Sequence, residues 1–271
     1  MRFGTFTLLR WIDHTDRAVS GALFASVRFL RHLFYFSVLG ERGFQTLTDL
    51  YYDHQGFYAQ DGHNRRGFLP WEAEVVENCF PKSGRILVTS CGAGREVVAF
   101  AKLGYEVVGT ECHAGLCRLA GDLCGPLERA EIECLPPPGI PAADCPFDAI
   151  VVGWGGYTHL APRSRRVAFL KDLGSLLRPG GPLLVSHLSR PPGRGRTIEL
   201  ARRAANILRA LTFRRPIEPG DMITIGFCHC FLPGEAAAEA REAGLELVFE
   251  ATAPPGFAGG QYPHFVARKS R

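Results

Sequence analysis

The sequence is short of several things, and each shortage narrows what the chain can be. Lysine occurs only at positions 82, 102, 171 and 269, and methionine only twice. The basic residues are therefore nearly all arginine, which we read as nucleotide-composition bias in the source genome. Net charge is +4 over 271 residues. That is no global nucleic-acid signal, and no nucleic-acid partner is expected. Neither a disordered composition nor an internal repeat is present, and the length suits one large α/β domain with extensions. The nine cysteines are an odd count, scattered without a framework. Met1 is followed by mixed residues, with no small-residue cleavage site closing an apolar core. These features predict a reducing cytoplasm with free thiols.

Uninterrupted apolar runs of membrane-spanning length are also missing. Ala18 to Leu39 has the length, but Arg28, Arg31 and His32 sit in its middle. Two central arginines cost about 5–7 kcal/mol on the insertion scale, which excludes a span. Two readings remain for this helix. One is an amphipathic helix that covers the domain or forms a homodimer. The other is an interfacial helix making peripheral membrane contact through residues 18–39, with Phe24, Phe29, Phe34 and Phe36 dipping into lipid. Metal-ligand spacing is lacking too. Cys112, His113, Cys117 and Cys124 read better as small core residues than as a chelate. Strand alternation sends His229 away from Cys228 and Cys230. No metal is expected.

What the chain does have is a unit from Arg85 to Cys112. Ile86-Leu87-Val88 is a short apolar run of buried-strand length. A glycine turn, Cys91-Gly92-Ala93-Gly94, follows, then a helix-like face on Val97, Val98, Phe100 and Ala101, stopped at Gly104. Val107-Val108-Gly109 is a second strand with Glu111 at its end. A strand–glycine turn–helix–strand–acid unit can hold a nucleoside, because glycines admit a ligand close to the backbone and the acid accepts ribose hydroxyls. The third glycine of a dinucleotide fingerprint is absent, with Val97 in its place, which argues against NAD or FAD.

Leu87-Val88-Thr89-Ser90-Cys91-Gly92-Ala93-Gly94 resembles motif I of the class I S-adenosylmethionine-dependent methyltransferases. Val88 stands where that family usually carries an acid, and Ser90 where it carries a glycine. The likeness continues in Phe147 to Trp154 (fourth strand), Leu173 to Ser186 (helix, PGG turn, fifth strand), Glu235 to Glu250 and His264 to Lys269. It covers roughly residues 70 to 188 and 233 to 269. The resemblance implies a doubly wound, mostly parallel seven-stranded sheet of Rossmann-like type. It implies S-adenosyl-L-methionine as cofactor, with Thr89, Ser90, Cys91, Gly92 and Gly94 at the methionine end, Glu111 on the ribose, Cys112 beside the adenine, and Gly153 and Trp154 on the sulfonium side.

Outside that unit, residues 1–80 read as an N-terminal helical extension or lid, and 81–271 as the domain. The aromatic segment from Tyr51-Tyr52-Asp53 to Phe57-Tyr58 either covers the site or packs on the sheet edge. A helix from Pro70 to about Cys79 follows. The proline run at 136–138 lacks the Asn and the aromatic that hold a flipped base in nucleic-acid amino-methyltransferases. Residues 189–232 form an insertion rich in arginine. Its helix carries an apolar stripe on Leu200, Ala204, Ile207 or Leu208, and Leu211. Its basic side is either a solvated face or a cover that attracts an anionic substrate, phosphate or membrane.

Methyl transfer needs a positioned nucleophile, exclusion of water, and a base only when the nucleophile arrives protonated. His159, just past the fourth strand at the sheet's ligand edge, is the first candidate base. His229 and His187 follow, and Tyr157 is a candidate to orient a substrate hydroxyl or amine. The expected function is methyl transfer to O, N or S of a soluble small molecule, with a phospholipid-like acceptor second. A non-catalytic relative of the same fold, motivated by Val88 and Ser90, is the rival. An aminopropyl transferase ranks last, because Asp148 is used to start a strand and Gly153-Trp154 supplies no acid for a polyamine.

Overall fold

The computed structural model describes residues 3–54, 61–143, 145–190, 195–224, 226–251 and 262–270. Phe57, Tyr58 and Arg194, singled out above, lie outside them. Four helices precede the sheet: α1 (Phe3–Val38), α2 (Glu41–His54), the short α3 (Asp61–Asn64) and α4 (Pro70–Cys79). Proline opens α4 at its first turn, where its missing N–H costs nothing. The Glu72 carboxylate then accepts the Leu69 N–H at 2.6 Å, closing the helix start.

The domain alternates strands and helices: β1 (Arg85–Thr89), α5 (Arg95–Lys102), β2 (Glu106–Glu111), α6 (Ala114–Cys124), β3 (Ala130–Cys134), β4 (Ala149–Val152), α7 (Arg163–Leu176) and β5 (Pro182–Ser186). An insertion follows, with α8 (Gly195–Leu211) and a hairpin of β6 (Asp221–Ile223) and β7 (Phe227–His229). Then come α9 (Glu235–Glu242), β8 (Leu245–Ala251) and β9 (His264–Lys269). The sheet order is β3-β2-β1-β4-β5-β9-β8. Strands β1 to β5 pair in parallel and β9 runs antiparallel between β5 and β8. This is the expected doubly wound seven-stranded sheet. The central strands are buried on both faces, so they read as unbroken apolar runs rather than alternating ones. Asp148 accepts the Arg85 N–H at 2.7 Å and pairs with Arg178 at 2.6 Å, fixing where β4 meets β1.

Strand order reverses between β1 and β4, and the carboxyl ends there are where such sheets bind ligands. Two cores flank the sheet, and a third lies between α1, α2, α8 and the β6–β7 hairpin. The insertion therefore carries its own core and supports the N-terminal helices. Phe36 is fully buried there beside Ile198, Ala205 and Ile217.

One expectation needs correction, and two are given detail. Cys117 on α6 and Cys134 at the end of β3 are joined by a disulfide, so not every thiol is free; the other seven are. The apolar stripe on α8 is real but faces outward: Leu200, Ile207 and Leu211 are each more than half exposed. The buried face is Ile198, Ala201, Ala205 and Arg209, where small residues let α1 approach closely. Several insertion arginines are spent on structure rather than on covering the site. Arg209 donates to the Phe36 and Leu39 carbonyls at 2.7 and 2.8 Å, and Arg214 donates to the Val38 carbonyl at 2.7 Å. These cap the unpaired carbonyls at the end of α1. Arg202 and Arg203 pair with Glu199. Among the described residues no helix is long and apolar enough to cross a membrane.

Candidate active site

A cleft opens at the carboxyl ends of β1, β2 and β4. Its floor is the turn after β1. Ser90 adopts φ 53°, Gly92 φ 57° and Gly94 φ 91°. Only glycine takes such backbone without cost, and Ser90 pays about 1 kcal/mol for it. The turn also needs bare glycine opposite it: a Cβ on Gly153 would lie 2.1 Å from the Ser90 carbonyl oxygen.

Glu111, at the end of β2, is 6 % exposed and lines the cleft. Its carboxylate accepts the Gly92 N–H at 2.8 Å and the Cys112 and His113 N–H groups at 2.9 Å each. Burial pushes its carboxyl above the usual range, and these amides oppose the rise. Two oxygens offer about four acceptor sites, so one remains for a ligand hydroxyl. Thr89 and Thr110 donate to the Gly139 carbonyl and hold the proline loop at the cleft wall, where Pro137 and Pro138 line it.

Of the residues expected at a cofactor, Ser90, Cys91, Gly92, Glu111, Cys112 and Trp154 line the cleft. Thr89, Gly94 and Gly153 stand behind and shape the turn. Of the expected catalytic side chains only His159 lines it. Tyr157 is fully buried, stacks on Phe231 and donates to Glu239 at 2.5 Å. His229 is buried between Asp221 (2.8 Å) and Glu235 (3.2 Å), away from the cleft. His187 is packed between Phe231 and Phe265, with burial lowering its pKa to about 4.

Of α2, the sequence offered only Tyr51-Tyr52-Asp53 as a cover or as sheet-edge packing, and gave no role to Gln45, Thr48 or Asp49. Gln45, Thr48, Asp49 and Tyr52 form one wall of the cleft. Their spacing of three, one and three residues is a single helix face, and that was the available signal. Tyr52 and His159 meet at 3.1 Å although 107 residues separate them in sequence. His159 Nδ1 lies 2.8 Å from the Phe227 carbonyl, which can only accept, so Nδ1 carries the proton. Burial lowers the pKa of His159, with the Phe227 carbonyl opposing, so the ring is neutral near pH 7. Its Nε2 is then an acceptor, and the Tyr52 hydroxyl donates to it. Helix α2 is held in place from two sides. Thr48 accepts the Phe227 N–H at 3.3 Å, and Asp53 accepts from His113 at 3.1 Å.

A buried guanidinium ties α4 to the same turn. Arg95 meets both oxygens of Glu72 at 2.6 and 2.7 Å and Glu96 at 2.6 Å. Burial pushes the Glu72 carboxyl up and Arg95 opposes it; the bidentate contact is that of a charged pair. Elsewhere, Glu218, Asp221 and His229 bring ligand atoms within 4.8 Å of one another. Arg166 already pairs with Glu218, and the His229–Asp221 hydrogen bond satisfies the others, so this cluster is an ion-pair network.

Residues 86–181 match the family described as a methyltransferase domain. That segment is similar to a methyltransferase domain. A demethylmenaquinone methyltransferase of Clavibacter sepedonicus is 30% identical over 128 residues, 45% of this chain and 49% of that protein. A protein-L-isoaspartate O-methyltransferase of Chlorobaculum parvum is 35% identical over 123 residues, 40% of this chain and 48% of that protein. The chain thus spans about half the length of the curated relatives it matches. Among solved structures, a Burkholderia thailandensis 1,6-didemethyltoxoflavin-N1-methyltransferase bound to S-adenosylhomocysteine superposes with TM-score 0.60 at 17% identity, over 86% of this chain and 92% of that one. At that identity the likeness is one of fold.

The residues present suit the family's cofactor. The turn leaves backbone open at Gly92, and an acid stands beside it at the end of the second strand.

Proposed function

We propose that the protein transfers a methyl group from S-adenosyl-L-methionine to O, N or S of a small-molecule acceptor. The observation that carries this reading is the Tyr52–His159 pair, which sits in the same cleft as Glu111 and the glycine turn. When bound, the cofactor supplies an electrophilic methyl on a sulfonium. The chain's own residues do the rest. The turn from Ser90 to Gly94 and the Glu111 carboxylate hold the nucleoside. Helix α2 covers the cleft and keeps water away. The acceptor enters beside Tyr52, which orients its hydroxyl, amine or thiol. The acceptor's proton passes to His159 Nε2, directly or through the Tyr52 hydroxyl.

The names of the two curated relatives point to different acceptors, a demethylmenaquinone and a protein isoaspartate, so the acceptor class follows from neither. Against a non-catalytic role, Ser90 adopts the left-handed backbone of the glycine it stands for, so the turn keeps an open shape. Val88 is fully buried in the sheet core, out of the cleft.

Calorimetric titration with S-adenosylmethionine and S-adenosylhomocysteine tests the reading. We expect micromolar binding by the wild type and at least tenfold weaker binding by Glu111→Ala, about 1.4 kcal/mol. No binding by the wild type returns the protein to the non-catalytic class. A phospholipid-like acceptor is a second reading, favoured by the exposed apolar face described next.

A further inference from the structure

Most of the exposed large apolar side chains among the described residues fall on α1, on α8 and just after α8. On α1 there are six, Phe24 and Val38 among them, and the other four, Leu23, Val27, Leu30 and Phe34, are each more than half exposed. Steps of four, three and four residues keep these four on one stripe. The opposite stripe, with His32 and Phe36, is buried against the insertion. On α8 the outward stripe runs through Leu200, Ile207 and Leu211. The two helices pack side by side with their carboxyl ends together, because Arg209 and Arg214 of the insertion cap the last carbonyls of α1. Phe213 follows α8 at φ 53° and is 100 % exposed. Arg214 and Arg215 behind it are anchored, one on α1 carbonyls and one on Glu41. Exposed apolar surface this concentrated marks an interaction site.

Charge decides between two occupants. Residues 195–215 hold six arginines and one acid, Glu199; Arg209 is buried against α1, which leaves at most five towards the surface. Residues 20–38 of α1 add Arg28 and Arg31 and no acid. A second copy joined about a two-fold axis would set one basic face against another. An anionic lipid surface complements both features: phenyl and aliphatic groups enter the acyl boundary while guanidinium groups stay at the headgroups. We infer that the outward face of α1 and α8, with Phe213 at its end, docks on an anionic bilayer surface, lying in the interface without crossing it. This does not depend on methyl transfer. It does put α2, which follows α1 after a two-residue link and walls the cleft, close to the membrane.

Flotation of the full chain with unilamellar vesicles tests the inference. Vesicles of equal phosphatidylcholine and phosphatidylglycerol should carry the protein up the gradient. Phosphatidylcholine alone should carry much less, and added salt should release it. The double variants Leu30→Glu/Phe34→Glu and Ile207→Glu/Leu211→Glu change only exposed positions. Each should keep the wild-type circular dichroism and thermal transition yet lose about tenfold or more in partitioning, the scale of removing apolar anchors and adding like charge to anionic lipid. Wild-type protein left at the bottom of the gradient overturns the inference. So does flotation unchanged in both variants. A lipid-free dimer by light scattering that these substitutions split overturns it in favour of a second copy.

Discussion

Ser90 and Gly156 share one space. A Cβ placed on Gly156 would lie 2.5 Å from the Ser90 Cβ and 2.8 Å from its Oγ, and next nearest is Val152 at 3.6 Å. The serine in the family's glycine position is thus matched by a glycine at the start of the short helical turn Gly156–His159. Gly156→Ala should cost about 1–3 kcal/mol through overpacking and push the turn off its cofactor-binding shape. Ser90→Gly should be close to neutral, since the strain it relieves is offset by the entropy of an added glycine. Combined, Ser90→Gly/Gly156→Ala should recover most of the loss. Urea denaturation of the four proteins measures the coupling. Strict additivity would show that the two side chains do not compete.

The Tyr52–His159 pair should set the acid limb of the reaction. The folded pKa of His159 is lowered from 6.5, by burial against the opposing Phe227 carbonyl. The ring therefore stays neutral, and Nε2 stays basic, to pH values below 6.5. With a protonated acceptor, kcat/KM should hold level down to that point and fall only below it. His159→Gln should lower kcat about 10²- to 10⁴-fold, the usual worth of a general base, while cofactor affinity is retained. Tyr52→Phe should keep cofactor affinity and raise KM for the acceptor. Unchanged turnover in His159→Gln would mean that the acceptor arrives already deprotonated.

How much of this could be read in the chain depended on how local the cause was. The unit from β1 to Glu111 was legible because strand, turn, helix and acid lie within one short segment and each has its own signal. The helix at Pro70 was legible for the same reason, with proline and Glu72 at its first turn. The outward stripe of α8 was not. Periodicity shows that Leu200, Ile207 and Leu211 share a face, but it does not say which face packs. Ala201 and Ala205 win because they admit α1 at short range, and Arg209 is buried because it meets carbonyls some 170 residues away. Tyr157 lies beside His159 in sequence, yet its side chain turns into the core towards Glu239. Tyr52, remote in sequence, takes the place beside His159, and only the packing of α2 on the insertion hairpin brings it there.

His229 was expected at the site, and its place in an ion-pair network makes a different prediction. Burial alone would lower its pKa, but hydrogen bonds to Asp221 and Glu235 reverse this and the net shift is upward from 6.5. Burial pushes Glu235 up, and His229 together with the Leu232 N–H brings it below 4.5. The two shifts agree on a charged pair. Arg166, on the same network through Glu218 and Glu239, opposes the histidine's charge. A raised folded pKa means that protonation of His229 stabilises the fold fully below about pH 6.5, and that this stability is lost as pH rises through the folded value. The Glu235 contribution is present above 4.5 and lost as pH falls through its depressed value. The pair is therefore at full strength between those limits. His229→Asn should cost about 1–3 kcal/mol at pH 6, because it leaves Asp221 buried with a lost partner. Its deficit against wild type should shrink as pH rises from 6.5 through the raised folded pKa. Urea titrations across that range measure it, and a deficit constant with pH would show that His229 is neutral in the folded protein.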